Sequence, residues 1–407
     1  MINIVNSGDT AWVLISTALV ILMTPAVGFF YGGMVRKKNI LSTMMMCFAI
    51  LMVISIQWVL FGYTLSFGPS FKGLIGGLKW LGLIGVGQIP EIKYAATIPA
   101  LVFMMFQAAF AIVAPSLIVG AFVERIRFSS FLVFSVIWST LVYDPVAHWV
   151  WGAGGWLRDL GTLDFAGGSV VHITAGLSAL AIALVIGKRK GYGKDNMEPS
   201  NIPIVVLGAV LLWFGWFGFN GGSALAANGL AASAFVATNT AGAAAAIVWM
   251  MLSWIHRRPS VLGVATGAIA GLAAVTPASG FIDPLSAMAI GAIASVISYY
   301  MIVFRMTVRI DETLDVFACH GMGGIWGMLA TGIFASKAIN PSGADGLIHG
   351  NFVLLGTQAY AVAIIAIFSF VITFMIAKLI DMFMGLRVKE NEEMVGLDIS
   401  QHAETIM

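Results

Sequence analysis

Charge is what this 407-residue chain has least of. Only 10% of its residues are Asp, Glu, Lys or Arg, where soluble domains carry about 25%. With 59% hydrophobic residues and a mean hydropathy of +0.95, this shortage excludes an ordinary globular enzyme. It implies a polytopic membrane protein in a lipid bilayer. The net charge of +2 leaves nothing to suggest a nucleic-acid partner. Cysteine is scarce too: Cys47 and Cys319 are the two present, both inside apolar runs. They read as small apolar fillers rather than a disulfide. The first ten residues hold Asp9 and no Lys or Arg, so the positive n-region of a cleavable signal peptide is missing. No HExxH occurs, and Cys319 beside His320 lacks metal-ligand spacing. That sets aside an intramembrane metalloprotease.

Long apolar runs are abundant. A spanning helix needs about 20 apolar residues. Eleven runs qualify, near 11–33, 40–66, 98–121, 129–150, 167–187, 203–222, 233–255, 261–278, 285–304, 315–335 and 353–380. Of the 21 Lys and Arg residues, 16 follow the odd-numbered spans. Among them are Arg36–Lys38, Arg125, Lys188–Lys190, Arg257 and Arg387. The positive-inside rule places the N-terminus outside and the C-terminus in the cytoplasm. The 46 glycines let helices approach closely.

Two features recur five spans apart. "GFFYGG" ends span one, and "GWFGFNGG" ends span six. Span five carries His172, and span ten carries His320. Five is odd, so the second set must run upside down. The expectation is an all-α fold with inverted repeats at about 10–190 and 200–336, and span eleven added. Such repeats place a transporter's working site at their interface, near the membrane middle.

Ionisable groups inside spans usually face the bundle interior or a cavity. Gly168, His172 and Gly176 fall on one helical face, as do His320, Gly324 and Gly327. These glycine-lined faces could bring the two rings together, or each ring could simply bond a core carbonyl. Asp164 precedes span five, where a carboxylate caps a helix N-terminus. Eight residues of rise, about 12 Å, keep it from touching His172. Phe106 and Phe110 share a face of span three, and Trp216, Phe219, Asn220 and Ser223 lie close together at the end of span six. Trp151 stands at the outer end of span four. Most of the 12 tryptophans fit an interfacial belt. This group also fits a vestibule for a small cation, which aromatic faces attract by roughly 0.5–2 kcal/mol. His256 and His402 are expected in solvent, and loop 67–97 over the outer face. A membrane cytochrome with His172 and His320 as haem ligands is the rival that needs a cofactor. The glycines beside both histidines favour ring-to-ring contact instead, and no cofactor is expected.

"DFAGGSVVHI", "AHWVWG", "GWFGFNGGSALAAN", "GAFVERIRFS" and the tail "GLRVKENEEMVGLDISQHAE" resemble the ammonium transporter (Amt/Mep/Rh) family over nearly the whole chain. The resemblance implies a non-enzymatic homotrimer in the plasma membrane, with a narrow pore in each subunit. Phe106, Phe110, Trp151 and Ser223 then recruit ammonium, with methylammonium as its analogue. Phe110 and Phe219 form a stacked gate, and His172 and His320 line the pore. Asp164, Trp216 and Asn220 support the site. Residues 1–384 form the transmembrane domain, and 385–407 a cytosolic tail that can dock a PII-type nitrogen-regulatory protein. A sensor of the same family, signalling through such a partner, is the alternative. The short tail, with no fused signalling domain in it, favours transport. "WGAGGW" is one residue longer than the family's usual run, which puts the spacing of Trp151 and Asp164 in question. Asp144 stands where an uncharged residue is usual. It either tunes the vestibule or caps a helix broken by Pro145.

Overall fold

Inside a bilayer the backbone has no water to bond, so a spanning run must close its hydrogen bonds within itself. The computed structural model describes residues 5–256 and 258–406 and is almost wholly helical. Arg257, counted above among the basic residues, lies outside the described residues. Among those described, nine helices are long and apolar enough to cross a membrane.

We number the spans α1 to α11. They are α1 Ser7–Met34, α2 Lys37–Phe67, α3 Ala100–Phe122, α4 from Phe128–Trp138 into Asp144–Trp151, and α5 Gly168–Ile186. Next come α6 Ile202–Gly222, α7 Gly229–His256, α8 Val261–Val275 and α9 Pro284–Thr307. The last two are α10, from Phe317–Gly321 into Met322–Phe334, and α11 Phe352–Met384. The two shorter ones, α8 and α10, are the spans expected at 261–278 and 315–335.

Glycine contacts reveal the direction of packing. On α6, Gly208 abuts Phe30 of α1, Gly215 abuts Met23, and Gly222 abuts Ser16. One set of numbers rises as the other falls, so α1 and α6 run antiparallel. The same holds for α5 and α10: the Gly168 carbonyl meets Gly324, and Gly176 meets Gly321. Corresponding spans of the two halves thus point in opposite directions, as an inverted repeat requires.

Four spans widen into a π turn: Trp58–Gly62, Ser139–Tyr143, Gly168–Ile173 and Phe317–Gly321. The last two contain the histidines. π turns add one residue and re-aim side chains, often at functional sites. The turn at 139–143 explains why Pro145 breaks nothing, since α4 runs on through Asp144–Trp151. Asp144 therefore caps no broken helix. It also stays out of the vestibule: it is fully buried and accepts from Gln57 Nε2 at 2.8 Å and Ser66 Oγ at 3.3 Å.

The basic loops gather on one face around Glu124, which sits in a left-handed backbone conformation between α3 and α4. Its carboxylate meets Arg36 at 3.0 Å and Arg189 at 2.9 Å, and Arg189 also pairs with Asp311 at 2.8 Å. Burial alone would raise the Glu124 carboxyl. The guanidiniums of Arg189 and Arg36 more than offset this and hold it below its ordinary value. The tail docks on this face through two short helices, α12 Glu390–Val395 and α13 Leu397–His402. Asp398 accepts from the Ser42 N–H at 2.7 Å and Leu41 N–H at 3.1 Å, capping α2 from a distant part of the chain. His402 is not in free solvent as expected. Its ring packs edge-on against Phe128 at 4.9 Å, because the tail folds back rather than extending. His256 is exposed.

Candidate functional site

The start of α5 builds the site. Gly167 adopts φ +111°, a left-handed conformation that suits glycine, just before the π turn. The N–H groups that this turn leaves unpaired all point at Asp164. Its carboxylate accepts from Gly167 and Gly168 at 2.8 and 2.7 Å, and from the Ser169 N–H and hydroxyl at 2.7 and 2.6 Å. Asp164 is therefore a cap, as its position suggested, and stays one helical stretch away from the histidine ring.

Above it opens a cavity of about 440 Å3 lined by Phe106, Gln107, Phe110, Trp151, Asp164 and Ser223, among others. The Trp151 indole donates to the Asp164 carbonyl at 2.9 Å. The longer glycine run after Trp151 thus leaves this junction closed. Ser223 Oγ donates to the Phe219 carbonyl at 2.8 Å and keeps its lone pairs free. The cavity floor is aromatic. Phe110 meets Phe106 at 4.9 Å, Trp151 at 5.9 Å and Phe219 at 4.4 Å between ring centroids.

Below the Phe110–Phe219 pair, His172 lies nearly parallel to Phe219 at 5.9 Å. His172 and His320 face each other with Nδ1 to Nδ1 at 3.3 Å and rings 26° apart. The glycines permit this as expected, with one revision. Gly176, Gly321 and Gly324 form the α5–α10 contact, whereas Gly327 packs on Ala274 after the π turn shifts the helical phase. A cavity of about 10 Å3 lies against both rings, with Trp216, Phe219, Tyr31 and Leu212 in its wall. That is room for one water-sized molecule. A second, about 20 Å3, continues past His320 towards Cys319 and Asp315.

The close Nδ1 pair dictates a tautomer pattern. Two facing ring nitrogens bond only if one carries the proton and the other accepts it. In a neutral pair, one Nε2 is then a bare acceptor and the other an N–H donor. The buried His172 Nε2 has no protein partner, so it is open to a guest. Trp216 donates to Thr276 Oγ1 at 2.9 Å, and Asn220 donates to Thr238 Oγ1 at 2.8 Å. Both hold α6 in place beside the rings. Among the described residues no His, Cys, Asp and Glu cluster could hold a metal, and the rings stand too close to admit a porphyrin between them.

Sequence reasoning missed part of the cavity lining. Gln107, a polar residue in an apolar run, was a readable signal; its Oε1 is buried without a partner. Phe67, at the end of α2, and Lys93 and Tyr94, from the loop that follows, also line the cavity, and that loop had no assigned role. Tyr94 stacks on Phe103 at 5.1 Å, and its hydroxyl donates to the Phe67 carbonyl at 2.6 Å. Arg158, following α4, lines the same cavity.

Comparison with known proteins places this arrangement. The chain is 50% identical over 400 residues to the ammonium transporter Amt1 of Archaeoglobus fulgidus, covering 98% of this chain and 99% of that protein. It is 50% identical over 400 residues to the ammonium transporter of Bacillus subtilis, covering 98% of each. The crystal structure of Candida albicans Mep2 superposes with a TM-score of 0.91 at 35% identity, covering 98% of this chain and 90% of that one. A structure described as a sensor Amt protein superposes with a TM-score of 0.91 at 30% identity, covering 98% and 99%. The model of the Ammonium Transporter Family matches residues 11–407, and this multi-pass membrane protein belongs to that family.

Proposed function

We propose that the protein carries ammonium across the plasma membrane by taking up the cation and passing ammonia. Phe106, Phe110, Trp151 and Ser223 recruit ammonium from outside. The ion gives up its proton there to vestibule water, so that the proton is handled separately; ammonia slips past Phe110 and Phe219, and the His172–His320 pair holds it in the lumen. Asp164, Trp216 and Asn220 position these groups. The observation that carries the reading is the histidine pair at 3.3 Å against an otherwise apolar lumen the size of one water-sized molecule.

Magnitudes favour this route. Ammonium is an amine-like acid with a pKa of about 10, so deprotonation at pH 7 costs about 4 kcal/mol. Burying the intact ion unpaired in an apolar pore could cost tens of kcal/mol by the Born estimate. Sodium and potassium have no proton to lose and are refused. Methylammonium can lose one, and passes more slowly between two phenyl rings.

The same reading puts the N-terminus outside and the C-terminus in the cytoplasm, with residues 1–384 as the transmembrane domain and 385–407 as a regulatory tail. The family resemblance supports a homotrimer and a PII-type partner on the basic face, where the tail lies. A sensing role rests on the likeness to the sensor Amt protein at 30% identity. Reconstituted flux separates the two. Replacing His172 and His320 together with leucine should abolish selective uptake of labelled methylammonium. Unchanged selective uptake in that double variant would refute the mechanism, and absence of any uptake by the wild type would favour sensing.

A further inference from the structure

Two cations line the vestibule. Lys93, from the loop after α2, and Arg158, after α4, share the cavity of about 440 Å3 with the aromatic rings. Arg158 is held at the rim, where its Nη1 donates to the Trp151 carbonyl at 2.8 Å. Among the described residues the only acidic one in the lining is Asp164, and four hydrogen bonds from Gly167, Gly168 and Ser169 already occupy its two oxygens. Asp159 adjoins Arg158 and Glu91 lies near Lys93 in sequence, but neither lines the cavity. Among the described residues, neither basic group is in an ion pair. A mouth that collects a cation thus carries two positive charges against one negative.

We infer that Lys93 and Arg158 set the affinity and charge selectivity of the outer site, by holding a positive field over it. This rests on the reading of the vestibule as the recruitment site for ammonium. A unit charge about 7 Å from a bound cation in water lowers its occupancy about threefold. A divalent cation feels twice the repulsion, so its penalty is the square, about ninefold. The field therefore favours monovalent over divalent ions and keeps ammonium capture weak enough for fast release. Salt screens it, because the Debye length shrinks from about 30 Å at 0.01 M to about 8 Å at 0.15 M. The diagnostic consequence is one of sign: capture of a cation by this protein tightens as inert salt is added.

The test is half-saturation of labelled methylammonium uptake into proteoliposomes, at about 0.01 M and about 0.15 M sodium chloride. Wild-type half-saturation should fall with salt. The Lys93→Gln, Arg158→Gln double variant should capture the cation about three- to ninefold more tightly at low salt, and the gap should narrow to about twofold at high salt. Arg158→Lys keeps the charge but loses the guanidinium fork, so it should behave as wild type. An effect as large in Arg158→Lys as in Arg158→Gln would assign the role to Trp151 positioning instead and overturn the inference. So would a double variant that matches the wild type at low salt. Trp151→Leu separates the two layers. If it weakens capture while the charge variants do nothing, only this inference fails; if it too changes nothing, the recruitment reading fails.

Discussion

Asp164 stands eight residues before His172, and Glu312 stands eight residues before His320. Each carboxylate caps the start of the helix that carries its histidine, at opposite ends of the inverted pair. The Asp164 cap accepts four close hydrogen bonds from the α5 turn and opens on the cavity of about 440 Å3. The Glu312 cap accepts two backbone bonds, from Val316 at 3.0 Å and Phe317 at 3.3 Å, and is fully buried. Burial, and then the neighbouring Asp315, push the Glu312 carboxyl up to about 7. One device thus serves two settings. Where the cap is richly bonded its charge is satisfied locally, and where it is poorly bonded and enclosed, its proton becomes part of the balance. The repeat copies the backbone plan, while surroundings decide the electrostatics.

The comparison can be broken by removing each cap. Asp164→Ala leaves several buried N–H groups without acceptors and should cost about 3–5 kcal/mol, seen as loss of folded protein in detergent. Glu312→Ala orphans two, one of them already long, and should cost about 1–3 kcal/mol. Equal losses would mean that the caps are energetically equivalent despite their bonding.

A pH profile sharpens the same contrast. A carboxyl held at about 7 in the folded state keeps a proton that the unfolded chain has lost above about 4.5. The folded state therefore binds more protons in that window, and stability falls as pH rises through it. The melting temperature of the wild type relative to Glu312→Gln should fall between pH 5 and pH 7.5, by on the order of 2–4 °C for each kcal/mol of burden. A flat difference would show that Glu312 is ionised throughout. Glu124 has the opposite sign. Its carboxyl is held low by Arg189 and Arg36, so its contribution is present above the unfolded value and lost on acidification.

The smallest expected effect is at the tail. Asp398→Asn weakens a charged cap on α2 and should cost about 1 kcal/mol. It should expose residues beyond Arg387 to protease before the transmembrane core is touched. Cleavage no faster than wild type would mean that the other anchors suffice, among them the Lys190 N–H on Glu393 at 2.7 Å and the Leu397 N–H on Asn39 at 2.9 Å.

Much of this was legible in the sequence, for a reason peculiar to bilayers. Hydropathy and loop charge act locally along the chain, so the eleven spans, the basic side and the two intramembrane histidines could be read directly. Asp164 was legible as a cap because its donors follow within six residues. Asp144 was misjudged because its partners, Gln57 and Ser66, lie 87 and 78 residues away. The ion network at Glu124 and the return of His402 onto Phe128 are long-range in the same way.

The amino-acid order by itself determined how many helices cross and which loops share a face, because transfer of each segment into lipid depends on that segment alone. Only the tertiary structure decided that two imidazoles meet at 3.3 Å and that Lys93 and Arg158 overlook the same mouth. Those placements arise from helix packing at glycine contacts and from π turns that shift the phase of a helix by a residue, and neither is a property of any one segment.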